Sequence, residues 1–271
     1  MGIGEQIFAA RKAKGMTQTL LAEKIGVSVE AVSKWERNLY APNDDKLKKL
    51  DELLEISLYN TDGDLMDVRF FDEDHMSAFL KGKFNAHSLT EASKALSYAK
   101  EKHAGALRKP ETAGIPYINH PLTMACHALA MSLEDDELLA ALLLHDVSED
   151  CNVAPGDLPF SLPIQEIVRL VTKPKDKAHF SESAYYAAIL ENPKACLVKC
   201  IDRCNNVSSM SFGFSDEKIA EYIRETESYY PALLKAVKAC PEYNNAAWLL
   251  SYQIKSVLAM AKRINRFSSS T

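Results

Sequence analysis

The chain has 271 residues, 47% of them hydrophobic and 25% charged, and a net charge of −5; that length suits one large core or two domains. No run approaches the roughly 18 to 20 consecutive apolar residues of a membrane span, and the negative balance argues against bulk electrostatic binding of nucleic acid while saying nothing about a local patch. Six cysteines without a secretory pattern read as reduced thiols, and Met1 to Lys14, interrupted by Glu5, Gln6, Arg11 and Lys12, does not read as a signal peptide, so the cytoplasm is the expected location.

Ile3 to Lys14 has the spacing of an amphipathic helix, with Ile7, Phe8 and Ala10 as expected core. Gly15 ends it, Thr17 caps a helix over Gln18 to Ile25, Gly26-Val27 turns the chain, and Ser28 caps a third helix through Trp35 to Arg37. Asn43 or Asp44 opens a fourth, through Leu47, Leu50, Leu53 and Leu54. Two short helices joined by a glycine turn form the helix-turn-helix pattern.

The segment "MTQTLLAEKIGVSVEAVSKWERNLYAPNDDKLKKL" resembles the Cro and phage-repressor (XRE-type) helix-turn-helix family, through Thr17-Gln18, Leu21-Ala22, Gly26-Val27-Ser28, Val32 to Glu36 and Pro42. The resemblance implies that residues 1–56 bind double-stranded DNA, with Ser28 to Lys34 facing the major groove and Gln18, Ser33 and Lys34 near phosphates. Val29 and Glu30 stand where the family often carries base-reading side chains, and residues 1–56 hold nine basic and nine acidic residues, so the electrostatic drive is modest. A module used only for dimerisation is the alternative. A homodimer fits either reading, since paired half-sites need two recognition helices.

Residues 57–87 are read as a linker, from the turn chemistry of Asn60-Thr61-Asp62-Gly63-Asp64 and the acidic stretch Asp67 to Asp74. From residue 88 onward the pattern is helical, which makes the expected fold all-α: a small helix-turn-helix bundle and a larger helical domain over 88–271. Ser88 to Glu91 reads as a capping box for a helix through Ala104. His120 reads as the cap of a helix beginning at Pro121 and running to about Ser132. A helix over 136–150 follows, then shorter ones over 164–172 and 180–190, one over 194–210, a long one from Ser215 through Tyr230, and a last one from Pro241 to Arg266.

Leu138 to Leu144 is Leu and Ala throughout, so that helix is expected to be buried all round. It then delivers His145, Asp146, Glu149 and Asp150; if the helix continues, His145 and Glu149 share one face, and Asp146 and Asp150 another. Burying such groups unpaired costs several kcal/mol, and a divalent cation turns their repulsion into coordination. The alternative is a solvated acidic helix end with a core histidine. Asp202, Asn206 and Ser209 share a face of the helix over 194–210, with Cys200 and Cys204 roughly opposite; Cys196, Cys200 and Cys204 read as core.

Together His120, His145-Asp146 and Asp202 resemble the HD phosphohydrolase superfamily, and more closely the RelA/SpoT-type (p)ppGpp hydrolase domain. "IPYINHPL", "LLAALLLHDVSED", "IVRLVTKPK", "LVKCIDRCNNVSSM" and "IAEYIRETESYYPALL" match its motifs in order, over roughly 90 to 235, as in small members that carry the hydrolase alone. The resemblance implies that His120, His145, Asp146 and Asp202 hold one divalent ion, expected to be Mn2+, and that Glu149 and Asp150 orient or deprotonate the attacking water. It implies nucleotide contacts from Arg108, Lys173, Asn206 and Ser209, and loss of the 3′-pyrophosphate from a guanine alarmone. The stretch from Arg108 to His120 is longer than in that family, and Asn205 stands where it commonly has histidine. Two alternatives stay open: hydrolysis of another nucleotide or phosphate ester, and a transcription regulator whose helical domain senses a nucleotide.

Overall fold

The computed structural model describes residues 3–40, 42, 44–56, 72–107, 116–174, 180–210 and 214–268. The chain divides into two compact units, Met1–Val68 and Arg69–Thr271. The fold is all-α: among the described residues there is no strand, only one isolated bridge between Leu107 and Pro116. None of their helices is long and apolar enough to cross a membrane.

The first unit contains α1 (Ile3–Ala13), α2 (Gln18–Ile25), α3 (Val29–Glu36) and α4 (Asp44–Leu54). Thr17 Oγ1 accepts from the Leu20 N–H and Ser28 Oγ from the Ala31 N–H, each at 3.1 Å, so both helices of the pair start at side-chain caps. Gly26 closes α2 at φ 75°, donating to the carbonyls of Ala22 and Glu23; a side chain in this left-handed region would cost roughly 1 to 2 kcal/mol. Gly4 is required differently, since a Cβ there would lie 2.2 Å from the Trp35 carbonyl oxygen. Ile7, Leu21, Ala22, Ile25, Val32, Trp35, Leu47, Leu50 and Leu54 make the core. Phe8, expected inside, is 46% exposed and lies under the cations of Arg11 and Lys12 instead. Within α1 it lies at the edge of the stripe that Gly4, Ile7 and Arg11 bury.

The second unit contains α5 (Glu73–Ala86), α6 (Thr90–Lys102), α7 (Asn119–Ala130), α8 (Asp136–Leu144), α9 (Val147–Asp150), α10 (Leu162–Val171), α11 (Glu182–Leu190), α12 (Pro193–Ser209), α13 (Asp216–Ala239) and α14 (Asn244–Ser268). Part of the expected linker is therefore structure: Asp72 caps α5 through the N–H groups of Asp74 and His75, and Met76, Leu80 and Phe84 join the core of this unit. Every residue from Leu138 to Leu144 is fully buried, as expected of the central helix.

Four boundaries differ from the periodicity. Helix α6 begins without a side-chain cap of its own: Ser88 turns at φ 54°, and the Asp136 carboxylate accepts from the Glu91 and Ala92 N–H groups at 3.1 and 2.7 Å. Helix α7 starts at Asn119, so His120 lies inside its first turn rather than capping it. The helix over 136–150 breaks after Leu144 and resumes at Val147. Finally, α13 runs past Pro231 to Ala239, with Pro231 and Glu227, whose carbonyl the proline cannot bond, both on the exposed side of the helix.

Candidate metal centre

The break after α8 builds the site. His145 Nδ1 lies 2.8 Å from the Leu142 carbonyl, and Asp146 adopts φ −98°, ψ −7°, which redirects the chain before α9. His145 and Asp146 consequently face the same centre, which two consecutive residues of an unbroken helix do not. The first turn of α7 adds His120 from a second element, and the middle of α12 adds Asp202 from a third.

His120, His145 and Asp202 each place one potential ligand atom within 4.8 Å of the others. Asp146 Oδ2 stands 2.9 Å from His145 Nε2 and 3.7 Å from His120 Nε2, so it meets both imidazoles. Asp202 Oδ1 is 3.2 Å from His120 Nε2 and 3.9 Å from His145 Nε2. The tautomers follow from the other ring nitrogens. A carbonyl oxygen only accepts, so His145 Nδ1 carries its proton toward Leu142; Asn205 Oδ1, 2.7 Å from His120 Nδ1, fixes that ring in the same way. Both Nε2 atoms then face the cluster, where the Asp146 and Asp202 carboxylates stand before the buried His145 Nε2. Two imidazoles whose outer nitrogens are tied down, with two carboxylates, suit a divalent cation.

The surroundings set the charges. Burial opposes the charged Asp202 carboxylate, but Lys199 and the two histidines overcome it and hold the group well below the usual carboxylate range. Burial likewise opposes a His145 cation, yet Asp146 and Asp202 push its pKa up to about 9. A metal ion and a proton therefore compete for the same imidazole. Lys199 Nζ donates to Asp202 Oδ2 at 3.0 Å, and Asn206 Nδ2 to Asp202 Oδ1 at 2.6 Å. Tyr117 donates its hydroxyl to Asp146 Oδ2 at 2.6 Å and stacks on His103, itself buried.

Glu149 lies one short turn beyond the centre. Burial raises its pKa, the charge of Asp146 adds to this, and the Lys173 N–H donating to Glu149 Oε1 works against it. Asp150 is exposed at the end of α9. Lys173 Nζ reaches Glu225 Oε1 at 2.9 Å, and Glu225 also accepts from Tyr186 at 2.8 Å and from Arg203, the residue after Asp202. Ser209 Oγ donates back to the Asn205 carbonyl at 3.1 Å. Arg108 lies outside the described residues.

The expected metal ligands are thus brought together, with Asn206 and Glu149 beside them. Tyr117, Lys199 and Glu225 stood inside the matched motifs but were assigned no place at the site, Lys199 being read only as a plain ion-pair partner of Asp202, and Asn205 was seen only as a departure. Lys199 carried a local signal, three positions before Asp202 on one helix.

In the first unit, Ser28 is the cap of α3, Val29 is 41% exposed, and Glu30 pairs with Lys34 at 2.9 Å on the exposed face. Ser33 is half-buried. Gln18 Nε2 donates to Glu36 Oε2 at 2.8 Å, joining the buried Arg11–Glu36 pair.

A helix-turn-helix family model matches residues 7–59. The guanosine-3′,5′-bis(diphosphate) 3′-pyrophosphohydrolase of Aquifex aeolicus is 34% identical over 150 residues, which is 53% of this chain and 21% of that protein. The bifunctional (p)ppGpp synthase/hydrolase SpoT of Escherichia coli K12 is 31% identical over 146 residues, 50% of this chain and 20% of its own. The chain thus spans about a fifth of the length of these curated relatives. A solved structure described as a metazoan ortholog of SpoT that hydrolyses ppGpp aligns at 22% identity with a TM-score of 0.48, covering 63% of this chain and 94% of that one.

Proposed function

We propose that the second unit is a metal-dependent phosphohydrolase that removes the 3′-pyrophosphate of ppGpp or pppGpp, and that the first unit binds double-stranded DNA. The observation that carries the enzymatic reading is the convergence of His120, His145 and Asp202 within 4.8 Å, with Asp146 against both histidines. The naming of the curated relatives for 3′-pyrophosphohydrolase activity supports the choice of substrate.

His120, His145, Asp146 and Asp202 would hold the ion; the resemblance to (p)ppGpp hydrolases favours Mn2+, with which a mixed imidazole and carboxylate set is compatible, as it is with zinc, iron or magnesium. A divalent cation supplies Lewis acidity toward water and phosphate oxygens. The chain's own groups do the rest. Glu149, with its pKa raised, accepts the proton of the attacking water, while the Lys173 N–H fixes the carboxyl's orientation. Asp150, exposed at the mouth, orients that water or passes its proton to solvent. Water adds to the phosphorus bonded to the ribose 3′ oxygen, the P–O3′ bond breaks, and GDP or GTP leaves beside pyrophosphate. Arg108, Lys173, Asn206 and Ser209 are the proposed nucleotide contacts, with Asn206 also steadying Asp202.

The DNA-binding reading rests on the matched helix-turn-helix and its two capped helices, with Gln18, Ser28, Val29, Glu30, Ser33 and Lys34 as its contacts. A homodimer would present two such helices to paired half-sites. Buried free thiols at Cys196, Cys200 and Cys204 suit a reducing compartment, and we place the protein in the cytoplasm as part of the stringent response.

Product release from ppGpp with added manganese, beside a panel of ordinary nucleotides, tests the proposal. Guanine nucleotide and pyrophosphate, abolished by chelator and by His145→Ala, are expected. Turnover of another nucleotide alone would keep the site and discard the substrate; tight binding with no turnover would make this unit a sensor.

A further inference from the structure

A concavity in the larger unit lies between α13 and α14, a groove of about 1380 Å³. Leu234, Ile254 and Leu258 form its buried apolar floor. Lys235 and Lys238 line it from α13 and Lys255 from α14, all three exposed. On the α14 side, Trp248 and Tyr252 are 67% and 65% exposed, yet their rings lie nearly parallel, 6.0 Å apart at 6°. The acidic lining residue Glu227 is bonded by Lys262 at 2.6 Å. In a chain of net charge −5, this basic rim is a local feature.

Exposed ring faces beside lysines match one ligand chemistry: unstacked bases joined by phosphates. A duplex keeps its base faces covered and offers the rings nothing to stack on. From Ala247 to Arg263 the groove follows α14 for about 24 Å, room for several nucleotides. Self-association fits the rim poorly, because a two-fold contact sets a patch against its own copy and would oppose lysine to lysine. A bilayer is met by a protruding amphipathic face rather than a groove.

We propose that the α13–α14 groove binds single-stranded nucleic acid, with bases stacked on Trp248 and Tyr252 and phosphates held by Lys235, Lys238 and Lys255. The site is independent of the hydrolase reading, and its occupant differs from the duplex assigned to the first unit.

The test is fluorescence anisotropy of the full chain with labelled 12-nucleotide single strands, in a DNA arm and an RNA arm of one mixed sequence, titrated at several salt concentrations. Binding in either arm is expected, weakening about ten-fold in Trp248→Ala and again in Tyr252→Ala. Lys235→Gln and Lys255→Gln should each flatten the salt slope by about 0.7. Both rings are exposed, so far-UV circular dichroism of these variants should match the parent. Absence of binding in both arms overturns the proposal, as does binding that Trp248→Ala and Tyr252→Ala leave unchanged. A dimer dissolved by Trp248→Ala, without oligonucleotide binding, assigns the groove to a second copy. Capture by anionic phospholipid vesicles alone assigns it to a membrane surface.

Discussion

His120 and His145 are each held at Nδ1, by Asn205 Oδ1 and by the Leu142 carbonyl, and those partners separate what was legible in the sequence from what was not. His120, His145, Asp146 and Asp202 could be named in advance as candidate ligands through the family resemblance that their motifs carry. Asn205 could not, because its partner His120 lies 85 positions away and the contact exists only once α7 packs on α12. Asn205→Ala should leave the fold intact and weaken manganese binding about 10- to 100-fold, as loss of a ring-orienting partner does; calorimetric titration of the metal checks this, and unchanged affinity would detach Asn205 from the centre. Glu225 stood in a matched motif, but its partners were equally hidden. It gathers Lys173, Tyr186 and Arg203, and although burial alone would raise its pKa, Arg203 and Lys173 hold it down at about 2. A folded-state pKa below the unfolded value contributes stability above the unfolded pKa, and that contribution disappears as pH falls through the window between about 4.5 and 2. The shift is worth on the order of 3 kcal/mol. Glu225→Gln should therefore be less stable than the parent at pH 7 and approach it near pH 2, measured by urea unfolding across that range; a constant gap would assign the effect to packing.

Whole helices were more legible than their ends. The caps Thr17 and Ser28 and the Gly26 turn predicted the α2–α3 pair, and the continuous run of Leu and Ala predicted that α8 is buried on every side, because these signals are local. Ends are decided by whatever satisfies the first N–H groups, and that group can come from elsewhere. Ser88 and Glu91 have the letters of a capping box, yet Asp136, 44 and 45 positions along the chain from the two residues it serves, takes the N–H groups of Ala92 and Glu91. Asp136→Ala should then cost about 0.5 to 2 kcal/mol, whereas Ser88→Ala, which removes no cap, should stay within about 0.5 kcal/mol. Chemical denaturation of the two variants decides between them, and the reverse ranking would restore the local box. The break after Leu144 was illegible for a related reason. Spacing alone cannot reveal that the His145 side chain uses the Leu142 carbonyl, and the pairing of Asp146 with Asp150 assumed an unbroken helix.

At the scale of the molecule there are two cores, one around Trp35 and Leu50, the other around Leu142 and Ile201, and each has its own stabilising device. In the first unit the Arg11 guanidinium pairs with Glu36 and also donates to the Met16 carbonyl at 2.7 Å, both side chains of the pair being 4% exposed. Removing one partner of so buried a pair leaves an uncompensated charge, at a cost of about 3 to 5 kcal/mol. In the second unit the device is the cation that the His120, His145, Asp146 and Asp202 set would bind, stabilising by about 2.7 kcal/mol at a hundred times its dissociation constant. The two tryptophans report separately, Trp35 from inside the first core and Trp248 from the exposed face of the second unit. Arg11→Ala should therefore lower the unfolding transition seen by Trp35 emission and leave the manganese-dependent transition in place. Manganese should raise the transition seen by helical circular dichroism, which the larger unit dominates, without moving that of Trp35. The measurement is thermal unfolding of the full chain and of the Trp248→Phe variant, with and without manganese, followed by both signals. If Arg11→Ala moves both transitions equally, or if manganese shifts Trp35 emission, the units share one cooperative unfolding step, and occupancy of the metal centre is then energetically coupled to the helix-turn-helix.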